Sequence, residues 1–329
     1  MRRIYALFAV GLLLAATIEA RSEEQPALVR MVFVGDIMLD QAPGEVVANG
    51  DDPFEHCAAL LDDADLTVGN LECVIAAGGQ AEDKKYTFRA HPRCVAPLGR
   101  HFDALSIANN HAGDFGKDAV VEMLQHLSDG ELPYFGGGRN AEEAHRPLIL
   151  ERKGIRIALL GYNEFKPRSF EAGPDTPGLA WSGGQDDQVV ADIKAARKQH
   201  KADVVIPFMH WGWEYEPAPD DRQRELARKM IDAGADVVIG AHPHVTQGAE
   251  QDRGRPIVYS LGNFLFNGFE DEVSRTGWLL RLTVSKTGVQ QWDTRVVLLD
   301  EQGLPHPVPG VASPCGQAGD EEIGSCKTE

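Results

Sequence analysis

Short apolar runs that end in polar residues recur along the chain between Leu28 and Leu299. Each run is rich in valine, isoleucine and leucine, which suit a sheltered β-strand. The runs are LVRMVFVGD, ADLTVGNLE, FDALSIANNH, IRIALLGYNE, ADVVIPFMHWG, ADVVIGAHPH and PIVYSLGNF. Because stretches with helical periodicity lie between several of them, the pattern predicts a layered α/β fold.

Two of the intervening stretches, DDQVVADIKAARKQH and DRQRELARKMIDAG, have helical periodicity. The second carries one apolar stripe, formed by Leu226, Ala227, Met230 and Ile231. Gly234 predicts the end of that helix. The last apolar region, WLLRLTVSKTGVQQWDTRVVLLD, instead predicts an antiparallel hairpin that turns at residues 286–288. No linker divides this stretch, so we expect one domain over residues 28–300.

The amino-terminal residues have the composition of a targeting segment. They read MRRIYALFAVGLLLAATIEARSEEQP, with two arginines before an apolar run from Ile4 to Ile18 and a small residue, Ala20, after it. This order predicts a secretory signal peptide over residues 1–20. The run is short for a membrane span, although an uncleaved anchor is the alternative. We therefore expect an exported protein, periplasmic or extracellular.

The carboxy-terminal residues 301–329 are rich in proline and glycine and are acidic, which predicts a loosely ordered tail. Export would expose the five cysteines of the chain to an oxidising compartment. Cys315 and Cys326 bracket part of the tail and could close a small loop. The remaining cysteines are Cys57, Cys73 and Cys94. Because three thiols cannot all pair with one another, at least one stays unpaired.

The formal net charge of −18 argues against a nucleic-acid partner, because the protein would repel phosphate backbones. A phosphate or carboxylate substrate stays possible, since a bound metal ion inverts the local field. The sequence contains no G-x-S-x-G elbow and no Walker loop. Neither serine-nucleophile nor P-loop chemistry is therefore indicated.

The ends of the predicted strands share a set of polar residues. They are Asp36, Glu72, Asn110, His111, His210, His242 and His244. Ligand sites in α/β sheets form where the carboxyl ends of strands meet, so we expect these side chains to gather on one rim. Taken singly, Asp36 could cap a turn and His210 could be a packed core residue. Together they suit Zn, Mn, Fe or Mg, and predict a two-metal centre that activates water.

Two of these histidines flank Pro243 in the stretch VVIGAHPHV. Gly240 permits a sharp exit from the strand, and Pro243 keeps His242 out of the helical region. Because residues i and i+2 of an extended segment face the same way, both imidazoles are expected to point at one spot. The spacing alone is a weak metal signal, and the alternative is one ring in a loop and the other in solvent.

Seven motifs follow one another along the chain: VGDIMLD, VGNLECVI, KKYTFRAHP, SIANNHAGDFG, HWGWEYE, GAHPHVTQG and YSLGNFLF. In kind and order they resemble those of CapA-type capsule-synthesis proteins, over roughly Val29 to Leu299. That family is associated with poly-γ-glutamate capsules and shares the calcineurin-like metallophosphoesterase fold. The resemblance implies a four-layer α/β/β/α sandwich of the metallo-dependent phosphatase type, with a metal site at the strand ends.

The resemblance also implies how the strand-end residues would divide between two metal ions. Asp36 and His244 would belong to the first ion, and Glu72 would bridge the two. The ligands implied for the second ion are Asn110, His210 and His242. The cofactors would be divalent ions, with one held firmly and a second held less firmly.

Met38 is the reason why the two ions are expected to be held with different strength. It stands where the superfamily's first motif carries a histidine two residues after the aspartate, and a thioether is a poor ligand for hard divalent ions. His111 resembles the family's histidine that binds no metal and protonates the leaving group or steadies the phosphate. Asp114, near it, would orient the ring of His111.

Side chains around the site are expected to form a substrate pocket. They are Tyr86, Arg89, Glu214 and Tyr215. Arg89 is expected to bind a carboxylate or phosphate through its planar guanidinium. The alternative is that Arg89 is a solvated surface residue. Trp211 and Trp213 are expected to pack rather than to bind substrate. Asn263 is equally well explained as a structural cap or as a site residue.

These expectations favour an exported, metal-dependent hydrolase-like protein that acts in synthesis, release or anchoring of an anionic capsular polymer such as poly-γ-glutamate. Its partners would be that polymer or a phosphoester, and polymer-synthesis machinery at the membrane. Two alternatives stay open. One is a non-enzymatic factor that binds the polymer or an assembly partner, and the other is a periplasmic phosphoesterase with a small substrate.

Overall fold

The computed structural model describes residues 27–327, so the predicted signal peptide over residues 1–20 lies outside the described part of the chain. The helices are α1 (Gln41–Asn49), α2 (Ala58–Asp62), α3 (Val95–His101), α4 (Gly116–Asp129), α5 (Ala141–His145), α6 (Asp186–Lys198), α7 (Asp221–Ala233) and α8 (Glu272–Arg275). None of these helices has the length and apolar character that crossing a bilayer requires.

The strands follow the same chain order. The first ten are β1 (Val29–Ile37), β2 (Leu66–Leu71), β3 (Val74–Ile75), β4 (Arg89–Ala90), β5 (Ala104–Ser106), β6 (Tyr134–Phe135), β7 (Gly137–Gly138), β8 (Leu148–Arg152), β9 (Ile155–Asn163) and β10 (Gly178–Leu179). The others are β11 (Val204–His210), β12 (Val238–Ala241), β13 (Ala249–Asp252), β14 (Arg255–Val258), β15 (Asn263–Leu265), β16 (Thr276–Ser285), β17 (Gly288–Leu299), β18 (Pro305–Pro307), β19 (Ala312–Gln317) and β20 (Gly324–Lys327).

Two large sheets form the centre of the fold. The first has the order β20-β19-β17-β16-β1-β2-β5-β6, with β15 beside β1 and β18 beside β17. The second has the order β13-β14-β12-β11-β9-β8. Strands β1, β2 and β5 run parallel to one another, as do β9, β11, β12 and β14. The predicted hairpin is confirmed, since β16 and β17 pair antiparallel.

The residues of β1 show how the two sheets are layered. Met31 and Phe33 belong to the apolar core between the sheets, whereas Val32 and Val34 belong to the core between the first sheet and its helices. Successive side chains of a strand point to opposite faces, so this alternation buries both faces of β1. A strand buried on both faces reads as a continuous apolar run, which is the pattern of VRMVFV.

Helices cover the outer face of each sheet. The core on the outer face of the first sheet includes residues of α3 and α4, and the core on the outer face of the second includes Val189 and Ile193 of α6. The predicted stripe of α7 packs in that second core. Gly234 ends α7 with a φ of 118°, a left-handed conformation that glycine adopts without strain. The four-layer α/β/β/α sandwich is thus confirmed.

Residues 301–327 do not form the loose tail that their composition predicts. Strands β18 and β19 pair with β17, and β20 pairs with β19, so this segment extends the first sheet. The pairing of Cys315 with Cys326 is confirmed, and the disulfide joins β19 to β20. Pairing with the free edge of β17 provides this segment with backbone hydrogen bonds. Amino-acid composition does not predict such pairing. Within the described residues the other cysteines are buried and free.

Candidate metal centre

The carboxyl ends of four strands meet where the two sheets face each other. Asp36 lies near the end of β1 and Glu72 directly follows β2, while His210 ends β11 and His242 directly follows β12. Their ligand atoms form two buried groups, each within 4.8 Å. The groups are Asp36 with Glu72 and His244, and Glu72 with His210 and His242. The structure therefore brings these predicted residues together, with Glu72 common to both groups.

The two histidines around Pro243 reach the site by an unexpected backbone route. The extended segment predicted for them is wrong, because φ is 100° at His242 and 57° at His244. Residues other than glycine rarely adopt such angles, and strained backbone of this kind concentrates at functional sites. Gly240 lies within β12 rather than at a turn, and a Cβ there would come 2.0 Å from the carbonyl oxygen of Tyr259. Close packing explains this glycine.

Asp36 is held by two donors from different sheets. Its Oδ1 accepts a hydrogen bond from Asn70 Nδ2 at 2.8 Å, and its Oδ2 accepts one from the backbone N–H of His242 at 3.2 Å. Burial opposes ionisation, but hydrogen bonding to His244 and Asn70 and the neighbouring imidazoles hold the pKa of Asp36 below its usual value. The sequence analysis missed Asn70, which lies in β2 two residues before Glu72.

Glu72 and His242 carry the strongest indication of a cation-binding site. Within residues 27–327, neither oxygen of Glu72 and neither ring nitrogen of His242 has a hydrogen-bond partner, and both residues are fully buried. Burial and the nearby Asp36 raise the pKa of Glu72, while burial and the neighbouring imidazoles lower that of His242. Buried polar atoms are normally paired. A carboxylate and a neutral imidazole facing each other without donors fit a divalent ion.

His210 and Asn110 place further potential metal-binding atoms near Glu72. His210 Nε2 lies 2.6 Å from Asn110 Oδ1 and 3.4 Å from Glu72 Oε1. Burial lowers the pKa of His210 to about 3, so the ring is neutral at physiological pH, which is the form that binds metal.

His244 is oriented by Asn263, which is therefore more than a structural cap. His244 Nδ1 donates to Asn263 Oδ1 at 2.8 Å, and this leaves Nε2 on the side of Glu72, at 3.9 Å from Oε1. Metal-binding histidines commonly use one ring nitrogen for such a hydrogen bond. Burial opposes protonation of His244, but Asp36 raises its pKa above the usual value.

His111 and Asp114 form a pair beside these groups. His111 Nδ1 lies 2.6 Å from Asp114 Oδ2 and the ring packs on Phe88, with ring centres 4.5 Å apart. Burial lowers the pKa of His111, although Asp114 works in the opposite direction. Lys84, which the sequence analysis did not single out, binds Asp114 Oδ1 at 2.5 Å and the carbonyl oxygen of Asn110 at 2.6 Å. Its motif, KKYTFRAHP, was the available signal.

A cavity of about 150 Å³ opens next to the site. Among its lining residues are Tyr86, His111, Glu214, Tyr215 and His244. Three of the four residues expected to contact substrate are in this lining. A larger cavity of about 620 Å³ lies along α5 and α6, away from the cluster.

Arg89 lies elsewhere in the structure. Its guanidinium donates to the carbonyl oxygen of Gly78 and packs over Phe115, and it is not among the described residues that line the smaller cavity. Of the two tryptophans expected to pack, Trp211 is buried, and Trp213 is 59% exposed but packs edge-on against Phe165, with ring centres 6.0 Å apart.

Met38 is fully buried and is absent from the described groups of potential metal ligands. Its sulfur accepts a hydrogen bond from the backbone N–H of Asp40 at 3.1 Å. The thioether is thus engaged with the backbone of its own loop. The first group of ligands has no side-chain donor from this position.

Comparison with known proteins places the chain in a family. The family model described as "Bacterial capsule synthesis protein PGA_cap" matches residues 30–268. The "PGA biosynthesis protein CapA" of Bacillus subtilis (strain 168) is 32% identical over 282 residues, covering 84% of this chain and 73% of that protein. The "Capsule biosynthesis protein CapA" of Bacillus anthracis is 30% identical over 293 residues, covering 84% of this chain and 69% of that protein.

A solved structure shares the fold. A hypothetical protein from Thermus thermophilus superimposes with a TM-score of 0.51 at 17% sequence identity, covering 81% of this chain and 98% of that one. At this identity the likeness concerns the fold alone. The family match spans the strand ends from Asp36 to His244. The chain therefore belongs to the bacterial capsule synthesis protein family PGA_cap.

Proposed function

We propose that the protein is an exported, metal-dependent hydrolase that acts in synthesis, release or anchoring of an anionic capsular polymer such as poly-γ-glutamate. Membership of the PGA_cap family and the CapA relatives support the capsular role. The observation that supports metal-dependent chemistry is the buried pair Glu72 and His242, whose four polar side-chain atoms have no hydrogen-bond partner within the described residues.

The donor set defines which residues would hold divalent ions. Asp36, Glu72 and His244 would hold one ion. Glu72, His210 and His242 would hold the other, with Asn110 Oδ1 beside His210 Nε2. Carboxylates and imidazoles suit Mn, Zn, Fe or Mg. Ions bound there would supply an activated water and a clamp for a phosphoryl or acyl oxygen.

His111 would then act on the leaving group. Asp114 accepts from Nδ1 of His111, which fixes the ring and leaves Nε2 for the substrate. Burial lowers the pKa of His111, so the ring is neutral in the free protein. An anionic group bound at Nε2 stabilises the protonated ring. Binding of an anionic substrate would therefore supply the charged form that a general acid requires.

The histidines provide a test that separates metal ligand from general acid. We expect His242→Ala and His210→Ala to lose metal, activity and thermal stability together, because Glu72 is left buried without the cation that the ligands share. His111→Ala should keep its metal and its fold but lose turnover by roughly 100- to 10,000-fold. The measurements are metal analysis of the purified protein and turnover on a panel of phosphoesters and γ-glutamyl polymers.

His126→Ala is the matched control, since His126 lies on α4 and pairs with Glu122 of the same helix. It should retain both metal and turnover. If His111→Ala hydrolyses the panel as fast as the parent does, the hydrolase proposal fails. A non-enzymatic role in binding the polymer or an assembly partner then takes its place.

A further inference from the structure

The first group of metal ligands has three side-chain donors. It contains Asp36, Glu72 and His244, and Met38 adds nothing to it because its sulfur binds the backbone N–H of Asp40. Three protein ligands are enough for a catalytic zinc site, whereas Mg²⁺ takes about six ligands, mostly oxygens. A further carboxylate close to His244 would add one oxygen ligand at this end of the centre.

The loop that follows β11 places Glu214 beside His244 of this group. Tyr215 has a φ of 66°, which reverses the chain at this point, and its backbone N–H donates to the carbonyl oxygen of Pro243 at 2.8 Å. This hydrogen bond fastens the loop to the residue between the two histidines. As a result, ligand atoms of Glu214, His242 and His244 lie within 4.8 Å of one another.

The charge of Glu214 argues against the role in substrate binding that its sequence position suggests. A carboxylate in the lining of the cavity would repel an anionic polymer or a phosphoester. The same carboxylate beside two imidazoles lowers the energy of a bound cation. Its exposure to solvent is also consistent with a ligand on the open side of the centre, since His242 and His244 are buried.

We propose that Glu214 is a metal ligand, which joins His242 and His244 on the open side of the centre. This inference rests on the metal centre of the proposed function. It changes the assignment of one residue from substrate contact to cation contact. The substrate would then meet a neutralised carboxylate at the mouth of the cavity.

A pair of variants in the same loop tests the assignment. Glu214→Gln removes the charge and keeps the size of the side chain, and Glu216→Gln removes the same charge two residues away, where the side chain is also exposed. Each protein is stripped with a chelator and titrated with Mn²⁺ and with Zn²⁺ in a calorimeter, and bound metal is then counted. We expect Glu214→Gln to bind at least about tenfold more weakly, or to lose one ion per chain, because even partners of metal ligands contribute that much affinity.

Glu216→Gln should match the parent in affinity and stoichiometry. The metal-free Glu214→Gln protein should unfold at the same temperature as the metal-free parent, since Glu214 is expected to stabilise the fold only through a bound cation. Equal binding by Glu214→Gln and Glu216→Gln would overturn the assignment of Glu214 and leave the metal centre intact. A parent protein that binds neither metal would overturn the metal centre of the proposed function as well.

Discussion

Lys84 is a single side chain that connects both halves of the candidate chemistry. Its Nζ contacts the carboxylate of Asp114 and the carbonyl oxygen of Asn110, so it touches the partner of His111 and a residue of the metal centre. Asp114 is fully buried, whereas the side chain of Lys84 is 19% exposed. Taking away one partner of a buried ion pair leaves the other charge without compensation.

We therefore expect Lys84→Ala to lower the free energy of unfolding by about 3 kcal/mol, near the lower end for a buried pair because Lys84 is partly exposed. Chemical denaturation of the metal-free protein measures this loss. Lys85→Ala is the matched control, because Lys85 is an exposed neighbour that packs over Tyr86. Its midpoint should stay near that of the parent, and equal midpoints for both variants would show that the pair contributes nothing.

Residue types at strand ends were enough to predict most of the site. Carboxylates and imidazoles are common metal ligands, so Asp36, Glu72 and His242 could be predicted from the sequence. Asn70 could not, because an asparagine inside an apolar strand is equally consistent with a turn or a ladder position. The strained backbone of His242 could not be predicted from the sequence either. It depends on the packing of two sheets rather than on the backbone preferences of the neighbouring residues.

At the scale of elements, an ion-pair network connects the first turn of α6 to α7. Arg222, in the first turn of α7, contacts Glu164 at 2.7 Å and Asp186 at 2.7 Å. Lys229, farther along α7, contacts Asp186 at 2.8 Å. Hydrogen bonding to Arg222 and Lys229 lowers the pKa of Asp186 to about 2. The carboxylate is thus stabilised in its charged form in the folded protein.

This shift predicts a pH dependence of stability. A carboxyl whose pKa is lower in the folded protein stabilises it above the ordinary pKa near 3.8, and that contribution is lost as the pH falls toward 2. Asp186→Asn should be less stable than the parent by about 1 kcal/mol at pH 6, with the difference shrinking between pH 4 and pH 2.

Asp187→Asn is the control for that experiment. It removes the same charge from the same turn of α6, at an exposed position. Urea denaturation across the pH series gives the three stabilities. A difference between Asp186→Asn and the parent that stays constant down to pH 2 would argue against the network.

One predicted strand turned out to be two elements in different sheets. The run PIVYSLGNF contains β14, which belongs to the second sheet, and β15, which pairs with β1 in the first. Gly262, with a φ of 67°, lies in the connection. Periodicity finds apolar runs but does not say to which sheet each half of a run belongs. The crossing is what brings Asn263 to His244.

At the scale of the whole molecule, the disulfide between Cys315 and Cys326 bears on where the protein works. Disulfides persist in oxidising compartments and are rare in the cytosol. The pair lies in strands that extend the first sheet, so it belongs to the folded domain rather than to a loose end. This agrees with the export that we propose from the amino-terminal sequence.

We expect protein recovered from the exported fraction of the native host to begin close to Arg21 and to carry this disulfide. Intact-mass spectrometry gives the new amino terminus. Alkylation of the denatured, unreduced protein should modify three thiols, because Cys57, Cys73 and Cys94 are free and buried in the folded state. An intact Met1 together with five alkylated thiols would contradict export.

The position of β1 in the first sheet has a consequence for how the chain folds during its synthesis. β1 lies between β2 and β16, and the first residue of β16, Thr276, is more than two hundred residues farther along the chain. The segment that carries the family match, residues 30–268, ends before β16 begins. During synthesis one edge of β1 therefore stays unpaired until β15 and then β16 have been made, when most of the chain exists. Such late, distant pairing slows folding and leaves an edge that other chains can join, so a holding chaperone would be most useful to the unfinished chain.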